Sequence, residues 1–449
     1  MNAYFKKEKI ILLVLLLLFI PSICEALSLR EAIDEALKNN FLIKQRIAQI
    51  SASIEQEKIA KTFLLPKLSS SYSYQRLKER PYAIFENPLI PGEEYQVHLG
   101  DRDRTYWDIT ITQPIFTGFS LITRHRIAKL GIDLAKEYRH QAELDIVEAV
   151  KVSYFHVLLS KRYVQIAEEE VEQLSSHYHD AKAFFKQGII PYNDLLKSKV
   201  ALAEAEQRLV RARSNLKVAI SKLNTLLERN IDESTQIEDI SSFVPESYNL
   251  KQLYQEALRR RPEIKALKVA IRQAEQRIRL AKSSYYPHIY LVAKYEQTGT
   301  DLGATENDYG NNKNASIGIQ AKWDIFEWGR TKAEVRKARH EYRQLCYELK
   351  ETEDRIRLEV KRAFEDLKVA VKNLETARIA LKQAKENYRI TDLRYKENLT
   401  TSTEVLDART YLTQAEVNYY NALYGYMTAK AKLEHSIGAI GEAYEGEGR

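Results

Sequence analysis

Apolar residues recur three and four apart from Leu29 to Leu65 and again from Leu250 to Tyr286, the spacing that puts them on one face of a helix. At Pro66 and Pro287 the period drops to two, because proline cannot extend a helix and pushes the residue before it toward extended backbone. Strands are expected at 68–78, 105–113, 288–297 and 315–324. In Trp107-Asp108-Ile109-Thr110-Ile111-Thr112 and from Ala315 to Trp323, odd positions are apolar and even ones small or polar. After each strand pair the helical period returns for very long runs, about Phe119 to Lys186 and Trp328 to Lys396, each near ~100 Å at 1.5 Å per residue. Phe364, Leu367, Val371, Leu374, Leu381 and Tyr388 form a seam along the second run, as in a coiled-coil neighbour contact. Gly188 with Pro191, and Asn398-Leu399-Thr400-Thr401, interrupt the two runs as sharp turns. Shorter return helices follow, about Asn193 to Glu228 and Ser402 to Ser436.

The chain repeats itself. Shifted by 221 residues, the segment from Leu27 falls on that from Tyr248, so that Glu35-Ala36-Leu37 meets Glu256-Ala257-Leu258 and Pro66 meets Pro287. Shifted by 210, Phe116 meets Phe326, Asp194 meets Glu404 and Ala205 meets Ala415. The expected organisation is therefore a first unit over 27–228, a linker over 229–248, a second unit over 249–437 and a tail over 438–449. A return helix and an opening helix together match the length of a long one. Stacking them end to end would pair each long helix with a composite partner. The stretches Glu79–Arg104 and Thr298–Asn314 read as polar loops in water.

An apolar face alternating with a polar one is the pattern of outer-membrane strands, and also of a soluble half-buried sheet. Tyr106, Trp107, Tyr285, Tyr286 and Trp323 stand near segment ends, where aromatic girdles sit. Four strands cannot close a barrel, since the smallest have about eight. Either the strands make a small soluble sheet, or several chains contribute to one barrel.

Residues 1–26 read as a secretory signal: Lys6, Lys7 and Lys9, an apolar run from Ile10 to Ile20, then Cys24-Glu25-Ala26. Cleavage after Ala26 is expected; lipidation of Cys24 is the weaker alternative, because Ile23 occupies a place that wants a small residue. The run is too short to span a bilayer as a helix. Its loss takes the net charge from +7 to +6, with acidic and basic residues interleaved. Nothing there suggests nucleic acid. Cys346 would remain as a lone, small apolar residue.

No enzyme constellation, cofactor site or metal site emerges. His177 and His179 are two apart and would not face the same way on a helix. The residues left with chemistry are acids just past the turns: Asp194 after the first, Glu404 and Asp407 after the second. Glu404 and Asp407 are three apart and share a helix face. They also read as ordinary helix-start acids favoured by the dipole.

Duplication, order and spacing together resemble the outer-membrane efflux proteins of the TolC family. The resemblance rests on Gln113-Pro114-Ile115-Phe116 and Trp323-Asp324-Ile325-Phe326 before the long helices, and on the turns Gly188…Leu196 and Tyr395…Ala408. It implies a mainly α protein with a small membrane β-barrel: a homotrimer with a twelve-stranded barrel, four strands per chain, continued by a long α-helical periplasmic barrel. It further implies a passive exit duct of a tripartite efflux or type I secretion system, not an enzyme. Its partners would be a periplasmic adaptor (membrane fusion) protein, an inner-membrane pump and outer-membrane lipid, with no nucleic acid. The competing class is a periplasmic coiled-coil adaptor or scaffold, for which a compact β-domain beside one hairpin is expected. By position the family's gate acids correspond to Glu404, Asp407 and Asp194, and Tyr395 to a tyrosine that ties the inner helix pair to its neighbour. Thr400 stands where some members carry an arginine, and threonine cannot form a salt bridge. Lys396 and Lys197 are the nearby cations that could substitute.

Overall fold

The computed structural model describes residues 26–240 and 248–439. Residues 1–25 of the expected signal segment, 241–247 of the expected linker and 440–449 of the expected tail lie outside the described residues. In chain order the elements are α1 (Leu29–Asn39), α2 (Phe41–Thr62), β1 (Lys67–Arg76), β2 (Tyr82–Glu86), β3 (Glu94–His98), β4 (Asp103–Thr117), α3 (Ser120–Lys186) and α4 (Tyr192–Leu227). Then come α5 (Leu250–Arg260), α6 (Pro262–Lys282), a short 3-10 turn, β5 (His288–Gly299), β6 (Lys313–Lys322), α7 (Arg330–Lys396) and α8 (Ser402–Ser436). The long helices are both 67 residues, and the return helices 36 and 35.

The opening helices differ from expectation, because each is broken. Arg261 precedes Pro262 and takes an extended ψ of 124°, as the proline ring demands. Asn40 breaks the first copy without a proline. Its backbone N–H still closes α1 on Ala36, while its side chain accepts from Leu42 N (2.9 Å) and so caps α2. Asparagine suits both ends of that joint. The start of α1 is held by Ser28 and Glu31, a reciprocal capping box worth roughly 1 kcal/mol.

The chain divides into two compact units. One takes residues up to Arg46, Tyr138–Ile264 and those from Thr352 on. Here the return helices meet the opening ones. The Glu228 carboxylate accepts the N–H of Phe41, an orphan donor at the start of α2 (3.2 Å), and Asn40 Nδ2 donates to the Leu226 carbonyl (3.1 Å). In the second copy, Arg261 Nη1 donates to the His435 carbonyl (3.1 Å) at the end of α8. Gly438 has φ +74°, and a Cβ there would lie 3.1 Å from the backbone of Arg260 and Arg261, so any other residue would meet both a strained backbone and a tight contact at the joint. The segment after α4 folds back: Leu27 bridges Ile237, and the buried Tyr154 hydroxyl lies within reach of the Leu27 and Glu238 carbonyls. Buried ion pairs pin the same region, Lys151 with Glu434 at 2.7 Å and Arg261 with Glu263 and Glu359 at 2.6 and 2.9 Å.

The other unit takes Ile47–Glu137 and Lys265–Glu351 and carries the sheet. Its strand order is β1-β4-β5-β6, all antiparallel, with β1 and β6 as open edges. Ile317 and Ile319 on β6 are each 75% exposed. Asp108 is buried on β4, accepting from Ser71 and Thr110. Below the sheet Phe116, Phe119 and Tyr286 pack edge to face. The loop expected over Glu79–Arg104 is not wholly irregular: β2 and β3 form a separate two-stranded hairpin. Its alternation was masked by the prolines and glycine around it. No helix among the described residues is long and apolar enough to cross a membrane.

Candidate gate at the helix turns

Both turns between a long helix and its return are Schellman closures. At the first, Gly188 takes φ +74°, Gly188 N donates to Phe185 O and Ile189 N to Phe184 O. At the second, Asn398 takes φ +57°, Asn398 N donates to Tyr395 O and Leu399 N to Arg394 O. Glycine and asparagine are the two residues that accept this left-handed position at little cost. The next helix then starts differently on each side. Pro191 offers no side-chain cap to α4, whereas the Thr401 hydroxyl accepts from Glu404 N (3.3 Å).

These closures set the acids. Glu404 is exposed in the first turn of α8 and takes a hydrogen bond from the Thr400 hydroxyl. Asp407 is exposed one turn on. Asp194 is half-buried in the first turn of α4, 3.7 Å from Lys197. Lys197 Nζ also donates to Thr403 Oγ1 (3.2 Å), joining the start of α4 to the start of α8. Lys396 instead turns back to Asp392 on its own helix (2.8 Å), and that hydrogen bond holds its ammonium above the usual lysine range. Of the two cations considered for the place opposite Thr400, Lys197 is the one that bridges the turns.

Tyr395 is 2% exposed, its ring 4.8 Å from that of His177 and 5.5 Å from that of Phe184. Burial raises its hydroxyl pKa, and a contact with Ser402 pulls the other way. Sequence reasoning missed the polar groups beneath it. His177 Nε2 lies 2.8 Å from Ser402 Oγ, which lies 3.3 Å from Ser198 Oγ, and all three residues are buried. The available signal was position: His177 lies three after Leu174 and four before Ala181, both buried, so it stands in an apolar stripe. Further along, the fully buried Arg409 faces Glu416 and the Tyr388 ring. Among the described residues no cluster of His, Cys, Asp or Glu could hold a metal ion.

The family model for outer membrane efflux proteins matches residues 32–228 and 253–439. The chain belongs to this family. The outer membrane efflux protein BepC of Brucella suis is 23% identical over 90% of this chain and 86% of its own length. The alkaline protease secretion protein AprF of Pseudomonas aeruginosa is 22% identical over 93% and 86%, and the outer membrane protein TolC of Escherichia coli 20% over 97% and 87%. The fold is that of solved outer-membrane channels. The Campylobacter jejuni CmeC channel matches with a TM-score of 0.76 at 20% identity over 91% of this chain and 85% of that one. The open state of the Neisseria gonorrhoeae MtrE channel matches with 0.72 at 18% over 92% and 89%.

Proposed function

We propose that this efflux-family chain is one of three identical subunits of an exit duct. The duct conducts substrates passively across the periplasm and outer membrane and is gated at the two helix turns. It engages an adaptor and an inner-membrane pump, and reaches its place by a leader cleaved after Ala26. The observation that carries the reading is the sheet: four antiparallel strands with an apolar face outward and both edges open. Unpaired edges are not tolerated in lipid, so further copies must close it. An adaptor would have no use for such a sheet.

The repeat supplies the register of closure. Lys67 pairs with Thr112 in the first copy, and His288 with Lys322 in the second, the same pairing moved by 221 and 210 residues. Applied to the pairing of β4 with β5, the same shifts put β6 of one subunit beside β1 of the next. Thr117 opposite His288 becomes Glu327 opposite Lys67 of the next copy, an ion pair. This accounts for β4 running to Thr117 while β6 stops at Lys322: residues 323–327 have their partner strand in another subunit. Trp323, Ile325 and Phe326, 53%, 78% and 72% exposed, then face lipid and the neighbour. The repeat in the sequence supports a domain organisation of two copies over 27–228 and 249–437, joined by 229–248 and ended by 438–449.

The test is a disulfide. Lys67→Cys with Glu327→Cys, in a background lacking Cys346, is expected to run as covalently linked subunits after oxidation. Monomers only, with both thiols unreacted, would overturn the proposed closure.

A further inference from the structure

The buried polar groups under Tyr395 are tied to no charge, and their donors can be counted. Ser198 Oγ donates to the Asp194 carbonyl (3.0 Å). The Ser402 hydrogen can then go to Ser198 Oγ, leaving Ser402 Oγ to accept from His177 Nε2–H. In this order the imidazole and both serine hydroxyls each donate, while the Tyr395 hydroxyl, also buried, has no hydrogen-bond partner. His177 Nδ1, buried and without a hydrogen-bond partner, is left as a bare lone pair, the cheaper group to leave unmatched. The opposite tautomer would bury an unpaired N–H, which costs more. The result is one neutral relay, His177 to Ser402 to Ser198 to Asp194 O, crossing α3, α8 and α4 with the Tyr395 ring of α7 as its lid.

We propose that His177, Ser198 and Ser402 are the positioning residues that hold the two turns together where Thr400 offers no ion pair, and that protonation of His177 releases them. The inference rests on the duct reading. A proton on Nδ1 would add a second N–H and a charge at a buried atom that has no hydrogen-bond partner. The groups facing the ring are Asp180 on its own helix, Tyr395, Asp392 and Lys396 on α7, Ser198 on α4 and Ser402 on α8. Lys396 is already matched by Asp392. Burial keeps the imidazole below its ordinary value, outweighing the opposite pull of Asp180 and Asp392, while Lys396 adds to the lowering. The relay is therefore closed at neutral pH and weakened as pH falls through that lowered value, which frees the start of α8 and with it Glu404 and Asp407.

Two readouts test this. In planar bilayers the wild-type protein is expected to pass more current at about pH 5 than at about pH 7.5 on the side of the turns. His177→Gln, which keeps a donor but cannot titrate, is expected to lose that acid response while keeping the neutral conductance. Ser402→Ala is expected to raise the open fraction at neutral pH by about tenfold, the size of one buried hydrogen bond lost. An acid response retained in His177→Gln assigns it to the carboxylates and overturns the proposal. Neutral conductance unchanged in Ser402→Ala also overturns it. The second readout needs no current: spin labels at Gln187→Cys and Glu397→Cys, without Cys346, report the spacing of the turns in the detergent-purified protein. That distribution is expected to widen in acid with His177 and not with His177→Gln; a distribution indifferent to pH overturns the relay. A protein that forms no pores counts against the duct, and the spin-label distances still decide the relay.

Discussion

Arg409 Nη2 lies 3.7 Å from Glu416 Oε2, and neither atom has a hydrogen-bond partner among the described residues. Both side chains are buried, with the Arg409 guanidinium 5.7 Å over the Tyr388 ring. Burial raises the Glu416 carboxyl, and Arg409 opposes that without cancelling it. Removing one partner leaves the other buried and uncompensated, which costs on the order of 3 kcal/mol. Replacing both by apolar residues of similar size is often neutral. Arg409→Ala is therefore expected to lower the thermal midpoint markedly, and Arg409→Met with Glu416→Leu to restore it. A double variant as weak as the single one would show that the pair itself is stabilising.

His435 makes stability depend on pH in the alkaline direction. Burial opposes its charge, but Asp145 at 2.9 Å, Glu359 and Glu148 outweigh that and the repulsion of Arg261, raising it to about 9. A histidine raised above its ordinary 6.5 contributes fully below that value and loses its contribution as pH climbs through the folded one. The thermal midpoint is expected to fall by on the order of 5 °C between neutral pH and about pH 9.5, and His435→Gln to flatten that slope. Scanning calorimetry at fixed salt measures both.

Glu404 and Asp407 carry the proposed gate. In the proposed trimer they would form two rings of three carboxylates, which attract cations. Glu404→Ala with Asp407→Ala is expected to weaken block by multivalent cations in planar bilayers by about tenfold or more, with no change in the thermal midpoint. Block as strong as in the wild type would remove the acids from the gate.

Two glycines at the sheet-to-helix junctions should respond very differently. Gly118 has φ +59°, and a Cβ there would lie 2.4 Å from the Ser283 carbonyl oxygen. Gly329 has φ +84° with nothing within 4 Å. Gly329→Ala pays only the backbone penalty, roughly 1 kcal/mol. Gly118→Ala adds a clash with backbone, and a loss of on the order of 3 kcal/mol is expected. Heat resistance of the assembled protein on gels would rank them. Equal losses would indicate that another subunit approaches Gly329 as closely as Ser283 approaches Gly118.

Much of this was legible in the chain because it is local or periodic. Pro66 and Pro287 mark where helix gives way to strand, and the period of two runs through β4 and β6. Gly188 and Asn398 mark the turns because few residues accept a left-handed backbone. The repeat carries the rest: Asp194 and Glu404 fall on equivalent positions of the two copies, each just past a turn. The breaks at Asn40 and Arg261 were visible only in part. Pro262 announces one, whereas Asn40 caps α2 with a side chain that also donates to the Leu226 carbonyl, 186 residues away. The β2–β3 hairpin escaped because its five-residue strands are too short to show a period beside Pro81, Pro88, Pro91 and Gly92.

What the sequence by itself determined is therefore the order of elements, the places where they turn and the acids beside those turns. Each depends on neighbours a few residues apart. Tertiary structure alone decided which polar groups are buried together: His177 with Ser402 and Ser198, Arg409 with Glu416, His435 with Asp145 and Glu359. Those residues are as polar as any on a solvated helix face. Only when α3, α4, α7 and α8 are packed does water leave them; His177 and His435 then find partners on helices distant in sequence, while Arg409 faces Glu416 two turns along its own helix.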